Sequence, residues 1–208
     1  MSFFEPPPPP PEPPHATAPT PEWVGPPDNE LPASFPLDLV LTRTDELALF
    51  VHLGRAYVHG FDFTLGLARR ALPEENGHDP MMLWHPGRRR GFDEALRFGI
   101  AFADGRKATV FDQRPPWGDP EGEPAPDIVL MQRGGGGGGT SWDFRFWAWP
   151  LPPEGPLAFV VEWPAEDVAL TRVELDSALV RDAAARAVTL WPRAEPPGAG
   201  RSWTRMTR

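Results

Sequence analysis

The sequence predicts a mainly β fold: a β-sandwich of immunoglobulin-like or jelly-roll-like arrangement, with one C-terminal α-helix. Two observations predict it. Apolar and polar residues alternate in several short segments, which places the apolar set on one face of each strand. No helical pattern connects these segments, as a parallel sheet would require. The pattern leaves the order of the strands open.

Residues 1–38 are predicted to form a disordered, acidic, proline-rich arm. They hold 14 of the 30 prolines, including the run Pro6 to Pro11, and six acidic but no basic residues. Proline lacks a backbone donor and favours polyproline II, so we expect neither helix nor sheet there. Such an arm is either a spacer or a ligand for an aromatic groove of a partner.

The predicted domain covers residues 39–192. Its first alternating segments, 47–53 and 61–67, indicate two strands joined near Gly54 or one bent strand. Further on, Asp104-Gly105 separates two alternating segments, which is typical of a two-residue hairpin turn. That turn would place Phe98 opposite Phe111.

The second half of the domain combines strands with one helix. Strands are predicted at 128–131, 142–149, 157–163 and 168–175, which gives seven or eight in all. Apolar residues then recur every three or four positions, which predicts a helix over about 177–190. Asp176 or Ser177 caps its start and Pro192 ends it. Residues 193–208 are predicted to be a flexible tail.

The most unusual segment is a run of six glycines followed by Thr140 and Ser141. A phosphate-binding loop would need a lysine before the hydroxyl residue and a helix after it, and neither is present. We interpret the run as a mobile hairpin loop that either stays unstructured or orders over a ligand or partner. Its members are Gly134, Gly135, Gly136, Gly137, Gly138 and Gly139.

Two groups of residues are candidates for a ligand or partner face. Trp147 and Trp149 lie opposite the purely apolar face of their strand, so a second layer buries them or they form an exposed patch. The second group lies in a long predicted loop and either binds an anion or is a solvated basic surface. It comprises Trp84, His85, Arg88, Arg89 and Arg90.

Catalytic and metal chemistry has little support in the sequence. The chain has no cysteine, which excludes disulfides, thiolate nucleophiles and thiolate-bound zinc. The weak metal candidates are His52, His59 and Asp62, which lack a recognisable zinc spacing. Ser141 has no nucleophile-elbow motif around it. We predict no catalytic residue and no cofactor.

The charge pattern bears on the partners. A formal net charge of -9 argues against nucleic acid, and six of those negative charges lie in residues 1–38. No stretch approaches the ~20 apolar residues that cross a bilayer, so no membrane association is expected. A signal-peptide pattern is absent, which favours a cytoplasmic protein. The oligomeric state is not readable from the sequence.

The C-terminal third carries a family resemblance. Its distinctive segments are the glycine run, Trp142-Asp143, the stretch 146–153 and Glu162-Trp163-Pro164-Ala165. In these segments the chain is similar to a family of uncharacterised proteins from high-GC bacteria. The resemblance implies a shared domain and no activity or functional residue.

These observations favour a non-enzymatic protein-interaction or structural module whose partner is a protein. One alternative is a small-ligand module, for a carbohydrate among others, that uses the aromatic face of Trp147 and Trp149. Another is a hydrolase around Ser141 or a metalloenzyme around the two histidines and Asp62.

Overall fold

A computed structural model describes residues 21–72, 94–112 and 125–193 of the chain. This part is mainly β, with one short α-helix, α1 (Ala178–Ala184), and a 3-10 turn at Pro164–Glu166. The strands are β1 (Glu30–Leu31), β2 (Ala33–Arg43), β3 (Leu47–Ala56), β4 (Phe61–Arg69), β5 (Arg97–Ala101), β6 (Lys107–Thr109), β7 (Val129–Gly138), β8 (Ser141–Trp149), β9 (Pro156–Trp163), β10 (Val168–Asp176) and β11 (Val188–Thr189).

Two antiparallel sheets form the sandwich. One has the strand order β2-β3-β4-β8-β7 and the other the order β10-β9-β5-β6. An immunoglobulin domain has the orders A-B-E-D and G-F-C, to which variable-type domains add C′ beside C. Strands β3, β4, β8 and β7 match the first order, and β10, β9, β5 and β6 match the second. The strand order is therefore the immunoglobulin one, with β2 added outside the first strand.

The core lies between the two sheets and is rich in phenylalanine. Phe63 of β4 contacts Phe159 of β9 edge to face, with ring centroids 5.1 Å apart. It also contacts Phe98 of β5 at 6.1 Å and stacks on Phe146 of β8 at 5.8 Å. The faces that the alternating pattern predicts to be apolar thus meet across the sandwich.

The predicted boundary of the arm at residue 38 is wrong. Strand β2 begins at Ala33, and Phe35 and Leu37 are buried in the core. Pro36 is exposed between them, and it is tolerated because β2 is the edge of its sheet, where a missing donor costs little. Residues 1–20 lie outside the described residues.

The predicted helix starts where expected but ends too late. The Ala178 N–H donates to the Asp176 carboxylate at 2.9 Å, so Asp176 supplies a cap. The helix ends at Ala184, and Val188–Thr189 instead pairs with Glu30–Leu31 as β11 with β1. Two β-branched residues favour this extended conformation. Of the predicted tail, residues 194–208 lie outside the described part of the chain.

The predicted register of the Asp104-Gly105 hairpin is also wrong. Gly99 pairs with Thr109, and Ile100 with Ala108. The Phe102 N–H bonds to the Arg106 carbonyl at 2.8 Å, and Gly105 adopts a φ of 91°, as in a three-residue loop. The shift by one residue buries Ala108 and leaves Thr109 half-buried.

None of the helices in the three described ranges is both long and apolar enough to span a bilayer.

We predict that Phe63→Ala lowers the free energy of unfolding by about 3–5 kcal/mol, because it removes the ring that touches both sheets. Urea denaturation measures the change. Val40→Ala is the matched control, since Val40 is exposed and should cost no more than about 0.5 kcal/mol. Equal losses in the two variants would contradict the central role of Phe63.

Candidate functional site

The glycine run forms a strand rather than the predicted loop. Gly134–Gly138 is the second half of β7 and pairs with β8 from Arg145 to Ser141. Only Gly139, at a φ of 62°, lies in a turn, and with Thr140 it makes a two-residue connection of the kind that has glycine first. The loop prediction is therefore wrong for Gly134–Gly138, because pairing with β8 holds these residues extended.

Steric contacts explain two of the five strand glycines. A Cβ at Gly135 would lie 3.0 Å from the Phe144 ring, and one at Gly137 would lie 2.7 Å from the Trp142 ring. These rings cover the core side of β7, so a side chain there would have to displace them. A Cβ at Gly134, Gly136 or Gly138 would meet nothing within 4 Å.

The outer edge of this glycine strand is open. Strand β7 is the last strand of its sheet, and all five glycines are exposed. Among the described residues no strand pairs with β7 on the side away from β8. We refer to this edge, Gly134–Gly138, as the glycine edge.

The direction of the backbone groups follows from the hairpin. Gly138 pairs with Ser141 next to the two-residue turn, which is a hydrogen-bonded position in such hairpins. Since hydrogen-bonded and non-hydrogen-bonded pairs alternate, Gly135 and Gly137 are non-hydrogen-bonded with respect to β8. Their N–H and C=O groups therefore point towards the open edge.

A second polar feature lies on the outer face of the same sheet. The Arg55 guanidinium donates from Nε to Asp62 at 2.8 Å and from Nη2 to the other carboxylate oxygen. The Tyr57 hydroxyl also reaches Asp62, at 3.4 Å. Asp62 is buried, so this pairing supplies the partners that a carboxylate needs away from water.

Burial and charge act together on Tyr57. Burial, reinforced by the negative charge of Asp62, raises the pKa of Tyr57 to about 12. The hydrogen bond with Asp62 raises the pKa of Arg55. The cluster therefore keeps a neutral phenol beside a salt bridge over the whole physiological pH range.

The proposed aromatic face is not an exposed patch. Trp147 is buried, and Tyr57 packs edge to face on it with ring centroids 5.4 Å apart. Gly60 also lies against this indole. Trp149 is half-buried. Of the two alternatives for Trp147, the structure shows burial by a second layer, which includes Tyr57.

The structure separates the three weak metal candidates. His52 faces Asp143 at 3.3 Å, and His59 faces Glu22 at 3.7 Å. Asp62 is held by Arg55. No group of three potential metal ligands occurs in the part of the chain that the structure describes.

The remaining candidates contribute no assembled site. Ser141 is exposed at the start of β8, where it pairs with Ala68 and Gly138. The loop candidates Trp84, His85, Arg88, Arg89 and Arg90 lie outside the described residues.

Comparison of the chain with family models, curated proteins and solved structures gave no match. The resemblance to a family from high-GC bacteria stays a prediction.

Sequence reasoning missed the cluster around Asp62. Arg55 and Tyr57 were not singled out, and Asp62 was considered only as a metal ligand. The alternating pattern contains no signal for this cluster: Asp62 falls on the face opposite Phe61 and Phe63, where a carboxylate is ordinarily solvated, so neither its burial nor its cationic partner could be predicted.

The single tyrosine makes one prediction directly measurable. We predict that Tyr57 ionises at a pH of about 12 in the folded chain, against about 10 in urea, as ultraviolet titration of tyrosinate would show. Because the folded pKa is the higher one, the associated stability is complete below pH ~10 and is lost as the pH rises from ~10 to ~12. Tyr57→Phe should remove this component of the pH dependence. A native pKa near 10 would refute the buried cluster.

We also predict that amide exchange alternates along the glycine edge. In the free chain the N–H groups of Gly135 and Gly137 should exchange at least about tenfold faster than that of Gly136, which bonds to β8. Hydrogen exchange followed by NMR gives each rate separately. Equal protection of the Gly135, Gly136 and Gly137 amides would show that the glycine edge is already paired in the free chain.

Proposed function

We propose that this domain is a non-enzymatic protein-interaction module that binds an extended peptide segment by strand addition to the glycine edge. The open backbone of Gly134–Gly138 carries the proposal. An unpaired strand edge presents N–H and C=O groups at the spacing that another extended chain requires. The partner is therefore defined first by its backbone conformation.

The other sheet edges differ from the glycine edge in ways that discourage pairing. Strand β2 carries Pro36, which lacks a donor, and the charged residues Asp38 and Arg43. Strand β6 has only three residues and begins with Lys107. The remaining edge strand of the sandwich, β10, carries the charged residues Arg172, Glu174 and Asp176. Short strands, proline and charged side chains are the usual protection of a sheet edge. The glycine edge has none of these, although a bulge precedes it at Arg133.

A peptide fits this edge better than a second copy of the same edge. Cross-strand pairs of side chains provide much of the energy and the register of a two-strand contact. Two glycine edges facing each other would provide no such pairs. A peptide with side chains can instead place alternate ones over the open positions at Gly134, Gly136 and Gly138.

The cytoplasm is the proposed location, and proteins rather than nucleic acids are the proposed partners. The choice of proteins over nucleic acids rests on the acidic net charge of the sequence.

The test is a selection of 12-residue peptides from a random phage-displayed library against the full chain. We expect enriched peptides to slow amide exchange at Gly135 and Gly137 at least about tenfold, with little change at Gly136, because only the outward groups gain partners. Calorimetry of synthetic peptides gives the affinities.

Alternate N-methylation of a selected peptide supplies the matched control. Methylating the amides that face β7 should abolish binding, whereas methylating the other set should preserve it. Peptides that bind without protecting Gly135 and Gly137 would refute strand addition. In the absence of peptide, the protection of these glycines could instead increase with the concentration of the chain while sedimentation shows dimers. That result would mean that the glycine edge binds a second copy of the chain and not a peptide.

A further inference from the structure

A cleft of about 440 Å³ lies on the outer face of the five-stranded sheet, and one of its lining residues, Arg145, pairs with Gly134 of the glycine edge. It crosses four adjacent strands, β2, β3, β4 and β8. The polar residues that line it are Ser34, Asp38, Arg55, Asp62, Thr64 and Arg145. Its volume falls in the range of small-molecule sites.

The cleft forms where β2 and β3 lose their regular pairing. The register shifts between Phe35 and Asp38 on β2, and Pro36 has no N–H to donate there. On β3 the register shifts between His52 and Arg55, and Leu53 adopts a φ of 56°. This left-handed conformation is unfavourable for leucine, and such strained residues concentrate at ligand sites. The Leu53 side chain is 65% exposed beside the cleft.

The floor contains a hydroxyl group with no protein partner. Thr64 is 7% exposed and lines the cleft, and within the described chain its side chain makes no hydrogen bond. Next to it on β4, Asp62 is neutralised by Arg55. The Thr64 hydroxyl is therefore available to a molecule bound in the cleft.

Two charges remain after the Arg55–Asp62 pair is set aside. Arg145 and Asp38 are both exposed at the cleft, and neither forms an ion pair with any of the described residues. They lie in one row across the sheet, because Asp38 pairs with His52, His52 with Thr64, and Thr64 with Arg145. His52 leaves the row by turning to Asp143 at 3.3 Å.

We infer that this cleft binds a small zwitterion of the α-amino-acid class. The ligand carboxylate binds the Arg145 guanidinium, and the ammonium group binds the Asp38 carboxylate. The Thr64 hydroxyl donates to the ligand carboxylate at the floor. The cleft has two arginines and two aspartates and is neutral, so a ligand with one charge of each sign complements the unpaired residues.

The distance between Asp38 and Arg145 suits a ligand of the size of an amino acid. Three strand intervals separate Asp38 from Arg145, which is about 14 Å between backbones. The Asp38 and Arg145 side chains, which both line the cleft, can span part of this distance, and an amino acid with its ammonium and carboxylate groups on one carbon would bridge the rest. A simple anion would neutralise Arg145 and leave Asp38 without a partner.

The test uses the full chain and the twenty common L-amino acids. Each amino acid is added at about 10 mM, which is at or above the Kd of a weak ligand. At least one of them should raise the melting temperature in thermal denaturation, because a ligand that binds the folded chain stabilises it. Calorimetry then gives its Kd. We expect Arg145→Ala and Asp38→Asn each to weaken binding about 10- to 100-fold, because each removes one charged hydrogen-bond partner.

Matched controls separate the cleft from general charge effects. Arg172→Ala on the other sheet and Asp45→Asn in the β2–β3 turn make the same changes outside the cleft and should leave the Kd unchanged. The N-acetyl and methyl-ester derivatives of the best ligand each lack one charge and should bind at least about tenfold more weakly. If no amino acid binds, or if both derivatives bind as tightly as the parent, the inference is overturned.

Discussion

The contact between Phe63 and Phe159 is the interaction on which the rest of the structure depends. Phe63 lies on β4 and Phe159 on β9, and their rings meet at 5.1 Å across the two sheets. These strands occupy the B and F positions of an immunoglobulin arrangement, which a disulfide joins in antibody domains. The chain has no cysteine, so aromatic packing joins the sheets here. The large rings fill the space between the sheets without any covalent link.

The position of Phe63 also determines what lies on the other side of β4. Side chains alternate along a strand, so Asp62 and Thr64 face away from the phenylalanine core. Strand β4 is central in its sheet, and side chains of neighbouring strands bury these polar residues as well. Asp62 finds its partner in Arg55, whereas the disturbed pairing of β2 with β3 leaves Thr64 beneath an open cleft. The alternation of side chains along β4 thus explains both the packing of the core and the polar residues on the outer face.

The alternating pattern predicted the strands with large apolar residues on one face. It failed where a strand lacks that signal. The glycine edge has no side chains to alternate. The first half of β2, residues 33–38, was assigned to the arm because of the prolines in residues 1–38, although Phe35 and Leu37 keep the period. The cleft was beyond prediction for another reason. Asp38 and Arg145 lie in one row across the sheet only because of the strand order, and no local sequence pattern contains that order.

The glycine edge carries an energetic cost that the fold does not require. A glycine inside a strand is less stable than alanine by about 0.5–1 kcal/mol, because the unfolded chain loses more freedom. Contacts with the Phe144 and Trp142 rings require glycine at two positions, but Gly134, Gly136 and Gly138 face open space. The three together cost roughly 1.5–3 kcal/mol, which is substantial for a domain of ordinary stability. The proposed strand addition would offset this cost in the bound state, since an incoming peptide would pack its side chains over the positions where β7 has none.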